Sequence, residues 1–344
     1  MPRVLIPSDN RDFVAQLASA YRRRDWEVAV GVANFDLHVA RYDLVHLQWP
    51  EELSDWNPPS VARLREILAR LDDWAQEARL LITVHNLRPH RRGDDAQYRE
   101  LLEGVYERVH ALAHFTETSC ALVAEEFPVA ARRENVVTGF FNFDALLPPQ
   151  RDPAHARATL GFDPDDFVLL VFGGLREWAE LALVRDAFAA AKVSRKRLLI
   201  CGRYDEPGPP WRQRWRRWNW ARWLRSERAV AVTEFIPDDE VHRVLDAADA
   251  LLVPRLDVLN SGVPALAASF GKTIIAPRCG AFPELLAGTG NLLYTAGDSQ
   301  DCARAIREAA ALDAMAIAQE NRALAARWNW GPVVERGIFA VGLQ

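Results

Sequence analysis

Residues 247–286 leave the chain few folds to choose from. Residues 250–253 (Ala-Leu-Leu-Val) are an apolar run of strand length. A loop follows, and Asn260-Ser261-Gly262 reads as a helix start, because short polar side chains take up the first N–H groups of a helix. Residues 263–270 form a short apolar helix closed by Gly271, the residue type that most easily turns left-handed at a helix end. Residues 273–276 are the next strand. Strand, helix and buried strand in that order make one crossover of a parallel sheet. A Ser-Gly pair at the helix start points N–H groups and the positive dipole end above the strand ends, an arrangement suited to a phosphate.

The same alternation runs along the chain. Residues 4–6, 28–30, 44–47, 80–84 and 114–116 read as strands, with a further strand and loop over 135–142. Helical spacing covers 13–24, 61–75, 98–110 and 119–126. Residues 147–153, with Pro148, Pro149 and Pro153, read as a linker. Beyond it the pattern restarts, with strands at 167–172, 197–201 and 229–233 and helices at 181–191, 238–248, 303–312 and 314–328. The reading is an α/β protein of two Rossmann-like domains, 1–148 and 154–326, with 327–344 crossing back to the first.

Composition excludes several classes. The 344 residues are 49% hydrophobic and 26% charged, as in ordinary globular proteins. A formal charge of −5 argues against general nucleic-acid binding. Cys120, Cys201, Cys279 and Cys302 show neither metal-ligand spacing nor a disulfide framework. Met1-Pro2-Arg3 leads straight into a strand without a secretory pattern. No apolar run reaches the roughly 18 residues of a membrane span, so the expected address is the cytoplasm.

The order Asp-Ala-Leu-Leu-Val-Pro (249–254), Ser-Gly (261–262), Ala-Ser-Phe-Gly-Lys-Thr-Ile-Ile-Ala-Pro (268–277) and Gly-Ala-Phe-Pro-Glu (280–284) resembles the donor-site signature of GT-B glycosyltransferases, especially family 4. The resemblance implies two facing Rossmann-like domains with an interdomain cleft. It also implies a nucleotide diphosphate sugar as co-substrate, no bound metal or other cofactor, and transfer to an acceptor hydroxyl with retention. Arg176, in Phe-Gly-Gly-Leu-Arg after a strand, matches the family's diphosphate-contacting arginine, with Gly173 and Gly174 in the same loop. Asn260, Ser261, Gly262 and Val263 match the diphosphate loop, and Glu284 keeps the Pro-Glu position. His85, ending Thr-Val-His-Asn, matches the histidine beside the reacting bond.

The resemblance has gaps. Ala179 stands where the family has a lysine, and the family's two acids fall near Val258 and Leu266. Sugar and ribose recognition therefore differ, or the site is degenerate. The alternative is a non-catalytic GT-B protein that binds a nucleotide or a partner enzyme. A GT-B sugar-nucleotide epimerase fits less well.

Other residues are read from placement alone. His46, Trp49 and Glu51 cluster at a strand's C-terminal end, where ligands bind in open α/β sheets. An aromatic face beside a carboxylate fits a sugar, lipid-linked or small-molecule acceptor. Asp9 in the first loop and His90 after the His85 strand are further acceptor candidates. Residues 211–225 hold five tryptophans and six arginines with no acid. Read as a helix, they favour peripheral contact with an anionic membrane face or an anionic partner. The plainer reading is a helix packing tryptophans onto the sheet.

Overall fold

The computed structural model describes residues 1–37, 40–88, 95–148, 150–202, 210–226 and 229–343. His90 lies outside them. The chain divides into two compact units: 1–141 with 258–260 and 329–344, and 142–257 with 261–328.

Unit 1 runs β1 (Arg3–Ile6), α1 (Arg11–Arg22), β2 (Glu27–Val30), α2 (Ala33–Leu37), β3 (Leu44–Leu47), α3 (Val61–Glu77), β4 (Arg79–Thr83), α4 (Asp95–Tyr106), β5 (Ala111–His114), α5 (Glu117–Glu126) and β6 (Glu134–Val137). A 3-10 turn, Pro50–Ser54, follows β3. Unit 2 runs α6 (Pro153–Thr159), β7 (Phe167–Phe172), α7 (Trp178–Ala190), β8 (Lys196–Cys201), α8 (Pro210–Ser226), β9 (Ala229–Val232), α9 (Val241–Ala247), β10 (Ala250–Leu252), α10 (Val263–Ser269), β11 (Thr273–Pro277), α11 (Phe282–Leu285), β12 (Leu292–Tyr294), α12 (Ser299–Ala309) and α13 (Ala314–Arg327). The last helix, α14 (Trp330–Ala340), belongs to unit 1.

Each unit holds one six-stranded parallel sheet, ordered β2-β1-β3-β4-β5-β6 and β12-β11-β10-β7-β8-β9. Both central strands are buried at every position, as expected of strands covered on two faces: Ala250–Leu252 is wholly apolar and Leu44–Leu47 is apolar except for His46. Strand order reverses at β1/β3 in the first sheet and at β10/β7 in the second. Loops leaving those strands at their carboxyl ends diverge and open a crevice. That rule places attention on the loops after β1 and β3, and on those after β7 and β10.

Helix starts follow side-chain chemistry. Ser60, Thr116, Asp298, Asp313 and Asn329 each accept a backbone N–H of the following turn. The expected strand at 114–116 lies at 111–114 instead, because Thr116 is spent as the α5 cap. The 147–153 stretch is no free connector. Asp152 caps α6, Pro153 opens it, and Arg151 Nε donates to the buried Asp246 at 2.6 Å. All of this lies within unit 2, whose boundary with unit 1 falls at 141/142.

Candidate functional site

The loop after β7 is shaped by glycine. Gly173 sits at φ +92, a left-handed conformation open to glycine, and its N–H donates to the Cys201 carbonyl at 2.8 Å. Gly202 packs so closely that a Cβ there would meet the Gly173 carbonyl oxygen at 2.2 Å. The loop then leads through the exposed Gly174 to Arg176, whose own N–H donates to Glu180 Oε2 at 2.7 Å.

Arg176 is half-buried, and among the described residues its guanidinium makes no salt bridge or side-chain hydrogen bond. Burial, then the neighbouring Arg255, lower its pKa to about 10, against the opposing pull of Glu180 and Glu177. It stays charged at neutral pH, held in a place that favours an added anion.

Arg255 and Glu180 were not expected from the sequence. Arg255, in the loop after β10, donates from Nη1 to both carboxylate oxygens of Glu180, at 2.9 and 2.8 Å, and from Nη2 to the Gly174 carbonyl at 2.9 Å. The usable signals were an arginine directly after a strand-ending proline and an acid four residues after Arg176.

The α10 start differs from the expectation. Its first flanking residue is Gly262, with no side-chain cap. Ser261 Oγ accepts the Val263 N–H at 3.3 Å, and Pro264 has no N–H to offer. Fewer amides are therefore open here than a Ser-Gly start implies. Asn260 does not cap the helix. It belongs to unit 1, where its side-chain amide donates to the Val84 carbonyl at 3.1 Å and to Ser119 Oγ at 3.3 Å. Glu284 is exposed in the first turn of α11. Val258 and Leu266, which hold the positions of the family's acids, are buried.

In unit 1, His85 and Trp49 come together at the ends of β4 and β3. Their rings stack at 4.1 Å and 19°, with Phe13 edge-on to the imidazole at 4.9 Å. His85 Nε2 lies 3.0 Å from Gln48 Oε1. Trp49 is nearly enclosed, so it packs and stacks at once.

His46 requires a correction. It is buried, with Nδ1 2.9 Å from the Tyr21 hydroxyl and Nε2 2.8 Å from Thr83 Oγ1. Burial lowers its pKa to about 3. Both ring nitrogens are used inside the unit, and no surface is left for an acceptor. Glu51 is also drawn inside. Burial pushes its pKa up to about 7, a bond to its own backbone opposes this, and Glu52 adds to it. Glu51 is thus a buried titrating group and not an exposed sugar contact. Its neighbour Glu52, unforeseen, accepts from Ser8 Oγ at 2.5 Å and the Asp9 N–H at 2.8 Å, fixing the first loop at the β1/β3 reversal. Asp9 itself is exposed, and its Oδ1 accepts the Val32 N–H at 3.3 Å.

Among the described residues no group of three or more His, Cys, Asp or Glu could hold a metal ion. No helix among them is long and apolar enough to cross a membrane.

Residues 166–311 match the family model described as "Glycosyl transferases group 1". No curated protein sequence matches. Solved structures match over nearly the whole chain. Anabaena HepE in complex with UDP-glucose is 15% identical, with a TM-score of 0.73, covering 99% of both chains. Sucrose-phosphate synthase from Thermosynechococcus elongatus is 16% identical, with a TM-score of 0.72, covering 98% of both. A glycosyltransferase from Rickettsia africae is 10% identical, with a TM-score of 0.69, covering 100% of this chain and 99% of that one. At these identities the likeness establishes the fold.

Proposed function

Starting from a chain with the GT-B fold whose residues 166–311 match the group 1 glycosyltransferase model, we propose that it transfers a sugar from a nucleotide diphosphate sugar to an acceptor hydroxyl, with retention and without a bound metal. The observation that carries this reading is the Arg176 guanidinium: half-buried, without a salt bridge among the described residues, beside a glycine loop at the strand-order reversal of unit 2. Such a group stabilises charge that develops on a leaving diphosphate as the anomeric bond breaks. A charge-assisted guanidinium–phosphate contact is worth about 1.5–3 kcal/mol. In this reading Gly173, Gly174, Ser261, Gly262 and Val263 line the donor through their backbone, and Glu284 stands at its sugar end. The UDP-glucose bound by HepE makes uridine diphosphate sugars the first donors to try.

Unit 1 supplies the acceptor side in the same reading. His85, held by Gln48 and stacked on Trp49, is an oriented imidazole for the reacting centre, and Asp9 offers an exposed carboxylate. The donor assignment is tested by calorimetric titration of UDP and UDP-glucose. Arg176→Ala is expected to weaken binding at least about tenfold, or 1.4 kcal/mol. Unchanged affinity in a folded variant removes Arg176 from the site. A parent that binds the nucleotide and turns over no acceptor supports the non-catalytic alternative, which the buried Val258 and Leu266 favour.

A second role attaches to α8. Trp220 and Trp223 stack at 4.8 Å and pack on the unit 2 core, whereas Trp215 and Trp218 are 59% and 58% exposed. Arg214, Arg222 and Arg225 are exposed on the same helix. Exposed indoles among guanidiniums fit the interface of an anionic bilayer, and we propose that α8 holds the protein peripherally at such a surface.

A further inference from the structure

Arg255 and Glu180 are charged side chains with only 9% and 5% of their surface exposed. An enclosed ion pair contributes little net stability compared with apolar side chains of the same size, so its worth lies in what it holds. Here it holds backbone. One guanidinium grips the Gly174 carbonyl with Nη2 and the Glu180 carboxylate with Nη1, and that carboxylate grips the Arg176 N–H. We propose that Arg255 and Glu180 are positioning residues of the donor site, fixing the 174–176 backbone in the shape that presents the Arg176 guanidinium to a nucleoside diphosphate. The proposal rests on the donor reading above.

The rest of the loop is fixed by other means, which leaves this segment to the pair. Gly173 is pinned by its bond to Cys201 and by the close approach of Gly202. The origin of Arg255 is pinned too, since the Tyr294 hydroxyl donates to the Val253 carbonyl at 2.8 Å just before it. A planar fork is required at 255, because the two directions of donation, to Glu180 and to Gly174, diverge from one rigid group. A lysine ammonium on a flexible stem does not reproduce that geometry. Two like charges are also brought near each other: after burial, Arg255 is the next cause that lowers the Arg176 pKa, although Arg176 stays charged at neutral pH. The carboxylate between them keeps the arrangement tolerable while Arg176 awaits its anion.

The test must separate positioning from folding. The paired replacement Arg255→Met with Glu180→Leu removes both charges and leaves neither buried alone. The expected result is a melting temperature close to that of the parent, with UDP binding weakened at least about tenfold. Because the pair acts through Arg176, Arg176→Ala in the paired variant should cost less than about twofold more, against about tenfold in the parent. Losses that multiply in full overturn the proposal, and so does a paired variant that binds UDP like the parent. If the paired variant does not fold, Arg255→Lys carries the test with the same expected loss and the same muted Arg176 effect. A parent that binds none of UDP, GDP and dTDP overturns the donor reading together with this proposal. A parent that binds through Arg176, with Arg255 indifferent, overturns this proposal alone.

Discussion

At the β3 and β4 ends of unit 1, His46, Glu51 and Glu52 are ionisable side chains drawn into the interior, with no salt bridge to them among the described residues. At the β7 and β10 ends of unit 2, the Arg255 guanidinium and the Arg176 backbone N–H share one enclosed carboxylate, that of Glu180. Both places sit where a parallel sheet reverses its strand order. Burial without a counter-charge moves the proton equilibrium toward the neutral form, down for His46 and up for Glu51. Burial beside a counter-charge gives a fixed geometry instead. Charge type at a strand end is therefore no guide to role until the partners are known.

The largest expected effect breaks or confirms the unit 1 half of that contrast. Glu51 keeps its proton to about pH 7 in the fold, against its usual 4.5. Between those values the folded state binds more protons than the unfolded one, so stability falls as pH rises from 4.5 through 7. The full loss is on the order of 3 kcal/mol. Glu51→Gln is expected to raise stability by that order at pH 8 and to change little at pH 5, read by urea unfolding at both values. Equal effects at the two pH values would show that Glu51 ionises normally. His46 works in the opposite direction. Its proton is disfavoured in the fold, so acid weakens the structure as pH falls from about 6.5 toward 3.

The two histidines sharpen the comparison on adjacent strands. His46 has both nitrogens committed inside, while His85 is half-buried and stacked on Trp49 at the strand end. His85→Ala is expected to lower UDP release from UDP-glucose in the presence of acceptor about a hundredfold, with UDP affinity within about twofold of the parent. His46→Ala should instead lower the melting temperature, since it leaves the Tyr21 hydroxyl and Thr83 without their partner. Turnover by His85→Ala equal to the parent would place His85 with His46 as a structural group.

Much of this was legible in the residues. Alternating apolar runs and helical spacings give a parallel α/β protein in two halves, because a doubly covered strand is a near-continuous apolar run. Short elements escaped. The three-residue β12 carries no periodicity, and α14 begins at Trp330-Gly331-Pro332, a sequence that does not announce a helix. Arg176 and His85 could be singled out from their motifs, whereas Arg255, Glu180 and Glu52 could not. Their roles lie in bonds to residues 75, 81 and 44 positions away. The same limit explains His46, whose partners Tyr21 and Thr83 come from α1 and β4. Asn260 matched a helix start by type, yet it belongs to unit 1, where its side chain is taken by Val84 and Ser119.

The smallest effect concerns charge that is not buried at all. On α8 the tryptophans divide, with Trp220 and Trp223 against the core and Trp215 and Trp218 outside. Arg222 lies over the Trp218 ring at 5.8 Å, so part of the guanidinium surface is already matched to an indole face. Exposed arginines here have no low-dielectric surroundings to fix their geometry, and their contribution to a membrane contact is long-range and screened. Each basic residue near an anionic lipid surface contributes about 1 kcal/mol. Arg214→Gln should therefore weaken co-sedimentation with phosphatidylserine vesicles about fivefold at low salt, and less as salt is raised. UDP affinity should not change, because Arg214 lies outside the loops after β7 and β10. Trp215→Ala should weaken the same binding with little salt dependence, since an indole contributes through apolar burial. If the parent protein ignores such vesicles at every salt concentration, α8 is a packing helix with a protein-facing surface, and the membrane role is withdrawn.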